Sequence, residues 1–368
     1  MAIAVLNIPA QHALNLLTEP LKLRIVAAQT DALECEFKNA RDLFNRAVAD
    51  LASNGVPEQA IPLQAAGLAH RTQLLRAFRD PDLVISETCE KVGAVVNGFP
   101  READNIRCGR NPGDVLDPYI LAAAQVLMCD GDFEHTISAT VGHKVLMIIE
   151  GLLGHLHEDV IGAMRGNIRA PEPRGIDQET LDPALNPFPG ADIIQPPLAT
   201  GRTLRFHQVK SKTGSAKGGD GRRLGLQLKE LTQLYGGEAY YDALIGNTLR
   251  GHRSMAGVVR AAPETIVLVG EAAFRELTGS NAGPQLLLRL YQSAFEVASR
   301  RTGYSFQAVV STIFMAFRER AQQLGEGFLE AVLHDAVAGE AVQQDSRFFV
   351  RTQKRANRVP NPPESFSD

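Results

Sequence analysis

The spacing of apolar positions in the first 130 or so residues predicts helices joined by short loops. Apolar residues recur every three or four positions, and Asn54 and Gly55 mark the end of one such pattern. The stretches with this spacing are residues 31–55, 58–81 and 117–129. Residues 97–114 are rich in glycine, proline and charge and predict a long loop. We therefore expect a large helical N-terminal region, residues 1–130, that serves as a scaffold or as an arm around a partner.

A longer helical pattern follows in residues 136–166. Its predicted buried stripe consists of Val141, Val145, Ile148, Leu152, Leu156 and Val160. His143, Glu150 and His157 lie on another side of this helix, seven positions apart. Seven residues of helix span about 10.5 Å, so these three side chains cannot ligate one ion. Glu150 alone remains a candidate, because a carboxylate at the edge of an apolar stripe usually has a partner.

The pattern changes to a period of two in residues 191–197 and 203–211, which predicts two strands. Proline and glycine between the two stretches suit a hairpin connection. The elements predicted after the hairpin are an amphipathic helix at residues 222–237, a buried strand at 265–270, helices from 271 onward and a polar, disordered tail at 349–368. This order predicts a chain that contains both helices and strands, with a large N-terminal helical region and a helical C-terminal region.

Length and composition place the chain among ordinary globular proteins. It has 368 residues, 44% of them hydrophobic, and a formal net charge of -4, so it can bury a large core and has no overall attraction for nucleic acid. Its start is not of the signal-peptide type, and no stretch approaches the roughly 18 to 20 uncharged apolar residues of a membrane span. We therefore expect a cytoplasmic protein without a membrane partner. The four cysteines are far apart and indicate neither a zinc site nor a disulfide framework.

A basic segment stands out against this acidic average. Residues 202–260 contain eleven Lys and Arg against four Asp and Glu, a local net charge of about +7 that is typical of a surface facing polyphosphate. A solvated basic face is the alternative. The glycine-rich stretch 212–219 lacks the ending of a P-loop, so we interpret it as part of a loop that reaches DNA phosphates. The residues predicted to contact DNA are Lys212, Lys217, Arg222, Arg223, Arg250 and Arg253, and His252 beside them is a candidate for proton transfer or a supporting role.

Three residues of the predicted hairpin carry side chains suited to phosphodiester hydrolysis. Because side chains alternate between the two faces of a strand, Gln208 and Lys210 lie on the same side of the second strand. Antiparallel pairing can bring Asp192, sixteen positions before Gln208, beside them. An acid, an amide and an ammonium group are therefore predicted to meet at one edge of the sheet. The alternative is that Lys210 is a solvated strand end.

Such a set of side chains can hold a hard divalent cation. A cation bound by carboxylate and carbonyl oxygens polarises a phosphate and lowers the pKa of an attacking water. We predict Asp192 as the anchoring ligand and the side-chain oxygen of Gln208 or the carbonyl of Val209 as a neutral ligand. Lys210 would lie by the nucleophile and the scissile phosphate. Glu150 would add an outer-sphere or second-metal carboxylate if its helix packs against the hairpin.

The order of these features resembles the PD-(D/E)XK nuclease superfamily, and within it the type II restriction endonucleases. The resemblance covers roughly 130 residues, from the helix with Glu150 through Asp192 and Gln208-Val209-Lys210 to the next helix and strand. Two positions depart from the family pattern: Gln208 stands where members more often have Asp or Glu, and Ala191 replaces the proline before Asp192. The resemblance implies an α/β (α+β) fold with a central mixed β-sheet flanked by helices. It also implies Mg²⁺ as cofactor, with Mn²⁺ as a substitute, a homodimer, and double-stranded DNA as substrate.

The function implied by the resemblance is a sequence-specific endonuclease of the restriction-modification type, found together with a cognate DNA methyltransferase. Residues 131–348 would form its nuclease core with the C-terminal helices, and the N-terminal region would embrace DNA or act as a scaffold. Two alternatives remain open: a non-catalytic DNA-binding protein with a degenerate nuclease core, and a repair or anti-phage nuclease with another substrate. The missing charge at Gln208 should weaken metal binding unless another acid compensates.

Overall fold

The computed structural model describes Ala28 and residues 40–109, 117–170, 188–212, 220–246 and 253–337. These residues form twelve helices and one five-stranded β-sheet. The helices are α1 (Ala40–Ser53), α2 (Ile61–Ala77), α3 (Pro81–Val96), α4 (Phe99–Arg107), α5 (Pro118–Met128), α6 (Phe133–Gly162), α7 (Asp220–Tyr235), α8 (Arg253–Ala261), α9 (Glu271–Thr278), α10 (Gly283–Thr302), α11 (Phe306–Leu324) and α12 (Phe328–Val337). The strands are β1 (Ile168–Arg169), β2 (Ile193–Gln195), β3 (Arg205–Lys212), β4 (Glu238–Ile245) and β5 (Ile266–Val269).

The sheet is mixed, with its strands in the order β1-β2-β3-β4-β5. Strand β2 pairs antiparallel with both β1 and β3, whereas β3, β4 and β5 run parallel to one another. Parallel neighbours need a crossover connection, and α7 and α8 lie in the two connections. The predicted α/β class with a mixed sheet flanked by helices is confirmed, and so is the antiparallel hairpin of β2 and β3.

Strand β4 is absent from the sequence prediction, although it is the most buried of the long strands in the described sheet. Six consecutive residues, 239–244, are buried, because β4 lies between β3 and β5 and is packed by helices. A strand buried on both faces does not alternate apolar and polar residues, so its period gives no signal. The signal that was available is a pair of tyrosines, which favour strands, in a segment bounded by glycines at 236, 237 and 246.

Two other predictions are wrong in part. Strand β5 exists, but it is not buried: Ile266 is 36% exposed and the rest of the strand is half-buried, because β5 lies at the edge of the described sheet. Residues 97–114 were expected to be a loop, yet α4 occupies the middle of this stretch. Tertiary contacts explain the helix, since Ile106 is buried in an apolar core and the guanidinium of Arg107 binds Glu319 at 2.8 Å.

The chain divides into two compact units. Unit 1 comprises residues 1–93 and 149–301 and contains the whole sheet. Unit 2 comprises residues 94–148 and 302–368 and has its own apolar core of side chains from α4, α5, α11, α12 and the first part of α6. Each unit therefore combines segments that are distant in the sequence. The boundaries predicted at residues 130 and 348 stay predictions.

Helix α6 is the one described helix that is long and apolar enough to cross a membrane. Only 17% of its most apolar window is buried in the protein. No such stretch was expected from the sequence. Lys144 and Glu150 are the only Asp, Glu, Lys or Arg residues between positions 135 and 157. A single helix that is long and apolar enough is weak evidence for a membrane span and does not establish one.

The apolar stripe predicted on α6 is interrupted in its middle. Val141, Leu156 and Val160 are buried as expected, whereas Ile148 is 44% exposed. The first segment of unit 2 ends at Ile148, so the buried residues of α6 form two groups, one in each unit. A continuous stripe was therefore the wrong expectation for this helix.

One face of the sheet is covered by α7 and α8. Leu224 and Leu228 of α7 and Val258 of α8 pack with Tyr241 of β4 in a buried cluster. The amphipathic pattern of residues 222–237 predicts this burial, since leucines recur at helical spacing. This packing fixes the strands β3 and β4 beneath the two helices.

Replacement of Gly225 in α7 by alanine is expected to destabilise unit 1. A Cβ at this position would lie 2.7 Å from the carbonyl oxygen of Val258 and 2.9 Å from the Cβ of Ala261, so α7 and α8 would have to separate. We expect the free energy of unfolding, measured by chemical denaturation, to fall by about 1 to 3 kcal/mol. Gly67→Ala in α2 is the matched control, because nothing lies within 4 Å of its added Cβ, and it should stabilise by up to about 1 kcal/mol. Equal effects of the two substitutions would contradict the close helix contact.

Candidate active site

The backbone of Asp192 is fixed between two strands. Its N–H donates to the carbonyl of His207 on β3 at 2.7 Å, and its carbonyl accepts from the N–H of Ala170 at 2.9 Å. The guanidinium of Arg169 on β1 donates to the same carbonyl, also at 2.9 Å. The position of Asp192, immediately before β2, is therefore set by β1 on one side and by β3 on the other.

The carboxylate of Asp192 lies against β3. Its Oδ2 accepts a hydrogen bond from the backbone N–H of Val209 at 2.8 Å and another from the side-chain amide of Gln208. The Gln208 side chain is buried, and a half-turn of its amide would present the oxygen in place of the nitrogen. The structure thus brings the acid and the amide of the predicted set together. Val209 contacts Asp192 through its N–H, and its carbonyl as a ligand stays a prediction.

Lys210 lies on the same face of β3 as Gln208, opposite Ala243 of β4. Its side chain is half-buried. Within the part of the chain that the structure describes, no carboxylate pairs with its ammonium group. A half-buried ammonium of this kind is a suitable partner for an anion such as a phosphate oxygen.

Arg169 connects Asp192 to the end of helix α6. Besides the carbonyl of Asp192, its guanidinium contacts Oε2 of Glu158 at 2.6 Å and Oδ1 of Asp159 at 3.1 Å. Asp159 also pairs with Lys91 of α3. None of these residues was predicted from the sequence, because each contact joins residues that are 10 to 68 positions apart. An acidic pair at a helix end and an arginine in a short strand were the only local signal.

Two further ionisable residues that were not predicted lie on the opposite face of β3 and β4. His207 Nδ1 and Asp242 Oδ2 are 2.8 Å apart, and both side chains are fully buried. Burial raises the pKa of Asp242, and the neighbouring His207 acts in the opposite direction. Asp242 was missed because β4 itself was missed.

Glu150 and His157 of α6, which the sequence suggested as metal ligands, have different surroundings. Glu150 is exposed, about two turns before Glu158. His157 hydrogen-bonds the hydroxyl of Tyr291 at 2.9 Å, and burial lowers its pKa to about 4. His157 is therefore neutral at pH 7 and occupied by a structural contact, and Glu150 as a metal ligand stays a prediction.

The predicted DNA-contacting residues are described only in part. Arg222 and Arg223 are exposed in the first turn of α7. Lys217, Arg250 and His252 lie outside the described residues. Lys212 belongs to β3 and Arg253 to α8, but the structure does not describe their side chains. Arg222 and Arg223 are thus the two predicted DNA-contacting residues whose side chains the structure describes.

Arg222 and Arg223 lie where two helices begin side by side. A Cβ at Gly257 of α8 would be 3.0 Å from the backbone nitrogen of Arg222, so the first turn of α7 touches α8. Each helix N-terminus carries the equivalent of roughly half a positive charge. Both helices follow the carboxyl ends of parallel strands, which is where ligands of α/β sheets commonly bind. This edge of the sheet is therefore suited to phosphate groups.

Among the described residues, no three His, Cys, Asp or Glu side chains are grouped so that they could hold a metal ion. Asp192 would therefore bind a cation with help from the Gln208 amide, water and substrate, and not as one of three clustered protein acids. No protein-family model matches the chain, and no curated protein is similar to it in sequence.

Proposed function

We propose that the chain is a sequence-specific endonuclease that hydrolyses phosphodiester bonds of double-stranded DNA with a Mg²⁺-activated water. The observation that carries this proposal is the meeting of the Asp192 carboxylate with the Gln208 side chain where β2 pairs with β3. Lys210 adds an ammonium group on the same face. An acid, a neutral oxygen ligand and an ammonium group close together suit this hydrolysis.

The residues around Asp192 fit a magnesium ion. Magnesium prefers oxygen ligands, keeps several waters, and is held through one or two carboxylates together with substrate phosphates. Asp192 and the amide oxygen of Gln208 would hold the ion, and Mn²⁺ would substitute for it. When bound, the ion supplies a water of lowered pKa and neutralises charge on the phosphate.

The protein groups have separate roles in this proposal. Backbone hydrogen bonds and the Arg169 guanidinium hold Asp192 in place before substrate arrives. The Lys210 ammonium orients the attacking water or neutralises the charge that develops on the scissile phosphate. Arg222 and Arg223 hold neighbouring backbone phosphates, which fixes the DNA without reading its sequence.

The proposed partners follow from charge and from the resemblance to restriction endonucleases. Duplex DNA suits the paired helix starts at α7 and α8, where Arg222 and Arg223 are exposed. A homodimer, a cognate DNA methyltransferase and a cytoplasmic location without a membrane partner rest on sequence and resemblance alone. A gene for a DNA methyltransferase beside the gene for this chain would support the restriction-modification assignment.

Digestion of plasmid and genomic DNA tests the proposal directly. The full-length chain with Mg²⁺ should cut duplex DNA into discrete fragments, and a chelator should stop the reaction. Degradation without discrete fragments would favour a repair or anti-phage nuclease of other specificity. Tight, specific DNA binding without cleavage in Mg²⁺ or Mn²⁺ would favour a non-catalytic protein in which Gln208 marks a lost metal site.

Substitution of both Arg222 and Arg223 by alanine is expected to weaken DNA binding to all sequences alike. Removal of one arginine that contacts a phosphate reduces the slope of log K against log salt concentration by about 1. The slope of the double variant should therefore be smaller by about 2. The measurement is a binding titration by fluorescence anisotropy at several salt concentrations. Arg260→Ala is the matched control, since this exposed arginine lies at the other end of α8. An unchanged slope in the double variant would place the DNA elsewhere.

A further inference from the structure

The buried pair of His207 and Asp242 links the two central strands of the sheet. Nδ1 of His207 on β3 and Oδ2 of Asp242 on β4 are 2.8 Å apart, and neither side chain has any exposed surface. The His207 ring also stacks on Tyr240, with ring centroids 4.7 Å apart. The pair therefore has a single tightly packed arrangement.

Further charges surround this pair on the same face of the sheet. The guanidinium of Arg205 lies 5.4 Å from the centroid of the Tyr240 ring and pairs with Glu238 at 3.0 Å and with Glu276 of α9. The Tyr240 hydroxyl donates to Glu238 at 2.8 Å. These contacts satisfy the outer groups and leave the His207–Asp242 pair enclosed behind them.

A buried pair of this kind is weak evidence for fold stability. Two apolar side chains of similar size often fill such a space at equal or lower cost, because charged groups must be stripped of water on burial. Within the described residues, Nε2 of His207 and Oδ1 of Asp242 have no hydrogen-bond partner. Buried groups of this kind require an explanation, and a role for the pair at the nearby candidate site is one.

The backbone of His207 is the element that holds Asp192. Its carbonyl accepts the N–H of Asp192 at 2.7 Å, and the next two residues, Gln208 and Val209, donate to the Asp192 carboxylate. The contact with Asp242 holds the His207 side chain against β4. It therefore also holds the stretch of β3 that orients the Asp192 carboxylate. We infer that the His207–Asp242 pair is a positioning device for Asp192, acting through the backbone of β3 from the opposite face of the sheet.

The double variant His207→Phe with Asp242→Leu separates positioning from stability. We expect it to fold with a melting temperature near that of the wild type. Hydrogen exchange of the Asp192 and Val209 amides should become at least about tenfold faster, because local opening of this part of β3 becomes easier. The Ala316 amide in unit 2 should keep its exchange rate. The conservative variant Asp242→Asn retains an acceptor for His207 and should restore slow exchange at both amides.

The test has a second arm that rests on the proposed function. In plasmid cleavage, kcat of the double variant should fall by about 10- to 100-fold with little change in KM, and Asp242→Asn should recover most of it. If the double variant does not fold, His207→Gln replaces it, with a smaller acceleration of the same two amides expected. Unchanged exchange at Asp192 and Val209 in a folded variant overturns the inference. Faster exchange in a chain whose wild type cuts no DNA overturns the proposed function alone.

Discussion

The Asp192→Asn variant is expected to lose Mg²⁺-dependent cleavage of duplex DNA by more than about a hundredfold. Asparagine has nearly the same shape, and its side-chain oxygen still accepts the N–H of Val209, which lies 2.8 Å from the native carboxylate. The substitution therefore removes the negative charge and leaves the backbone contacts of β1 and β3 in place. The measurement is the initial rate of plasmid cleavage over a range of Mg²⁺ concentrations, with thermal unfolding as the check on the fold.

The matched control for this variant is Asp82→Asn. Asp82 is an exposed acid of α3 whose carboxylate pairs with Arg71 at 2.6 Å, so its loss should leave cleavage unchanged. A pair of exposed side chains also contributes little to stability. Cleavage by Asp192→Asn at the wild-type rate would show that the metal, if one is bound, is held elsewhere. A variant that cuts only at much higher Mg²⁺ would show a weakened site that keeps its chemistry.

The hairpin could be predicted because neighbouring residues in the sequence determine its strands and its turn. Alternation of side chains over residues 203–211, together with the prolines and glycine before it, determines two strands and the turn between them. Gln208 and Lys210 then share a face by geometry alone. The register that puts Asp192 opposite Gln208 follows from pairing Ile193 with His207. Fold class and the central residues of the candidate site could therefore be predicted from the sequence.

The supporting residues of the site could not be predicted because their partners are distant in the sequence. His207 meets Asp242 across 35 positions, and Arg169 reaches Asp192 across 23. A charged residue inside β4 makes that segment appear unlike a buried strand until its histidine partner is known. The same applies to α4, whose arginine is satisfied by a glutamate 212 positions later. Local patterns predict which elements form, whereas these ion pairs depend on how the elements assemble.

Lys210→Ala should show the second large effect, a loss of cleavage that is not a loss of DNA binding. The half-buried ammonium lies on the face of Gln208 and has no carboxylate partner within the described residues. If it neutralises charge that develops during the reaction, its removal lowers kcat by about 10² to 10³. DNA affinity should change little, because at most one phosphate contact is lost. Single-turnover cleavage and anisotropy titrations on the same duplex measure the two quantities.

Lys229→Ala is the matched control, because Lys229 is a half-exposed lysine on α7 outside the proposed site. It should bind and cut DNA as the wild type does. Equal losses of cleavage and affinity in Lys210→Ala would make Lys210 an ordinary phosphate contact in the ground state. A selective loss of kcat instead requires the ammonium to act more strongly in the transition state than on bound substrate. That outcome, together with the loss of activity in Asp192→Asn, would place the reaction centre where Asp192 meets β3, with Gln208 as its neutral third member.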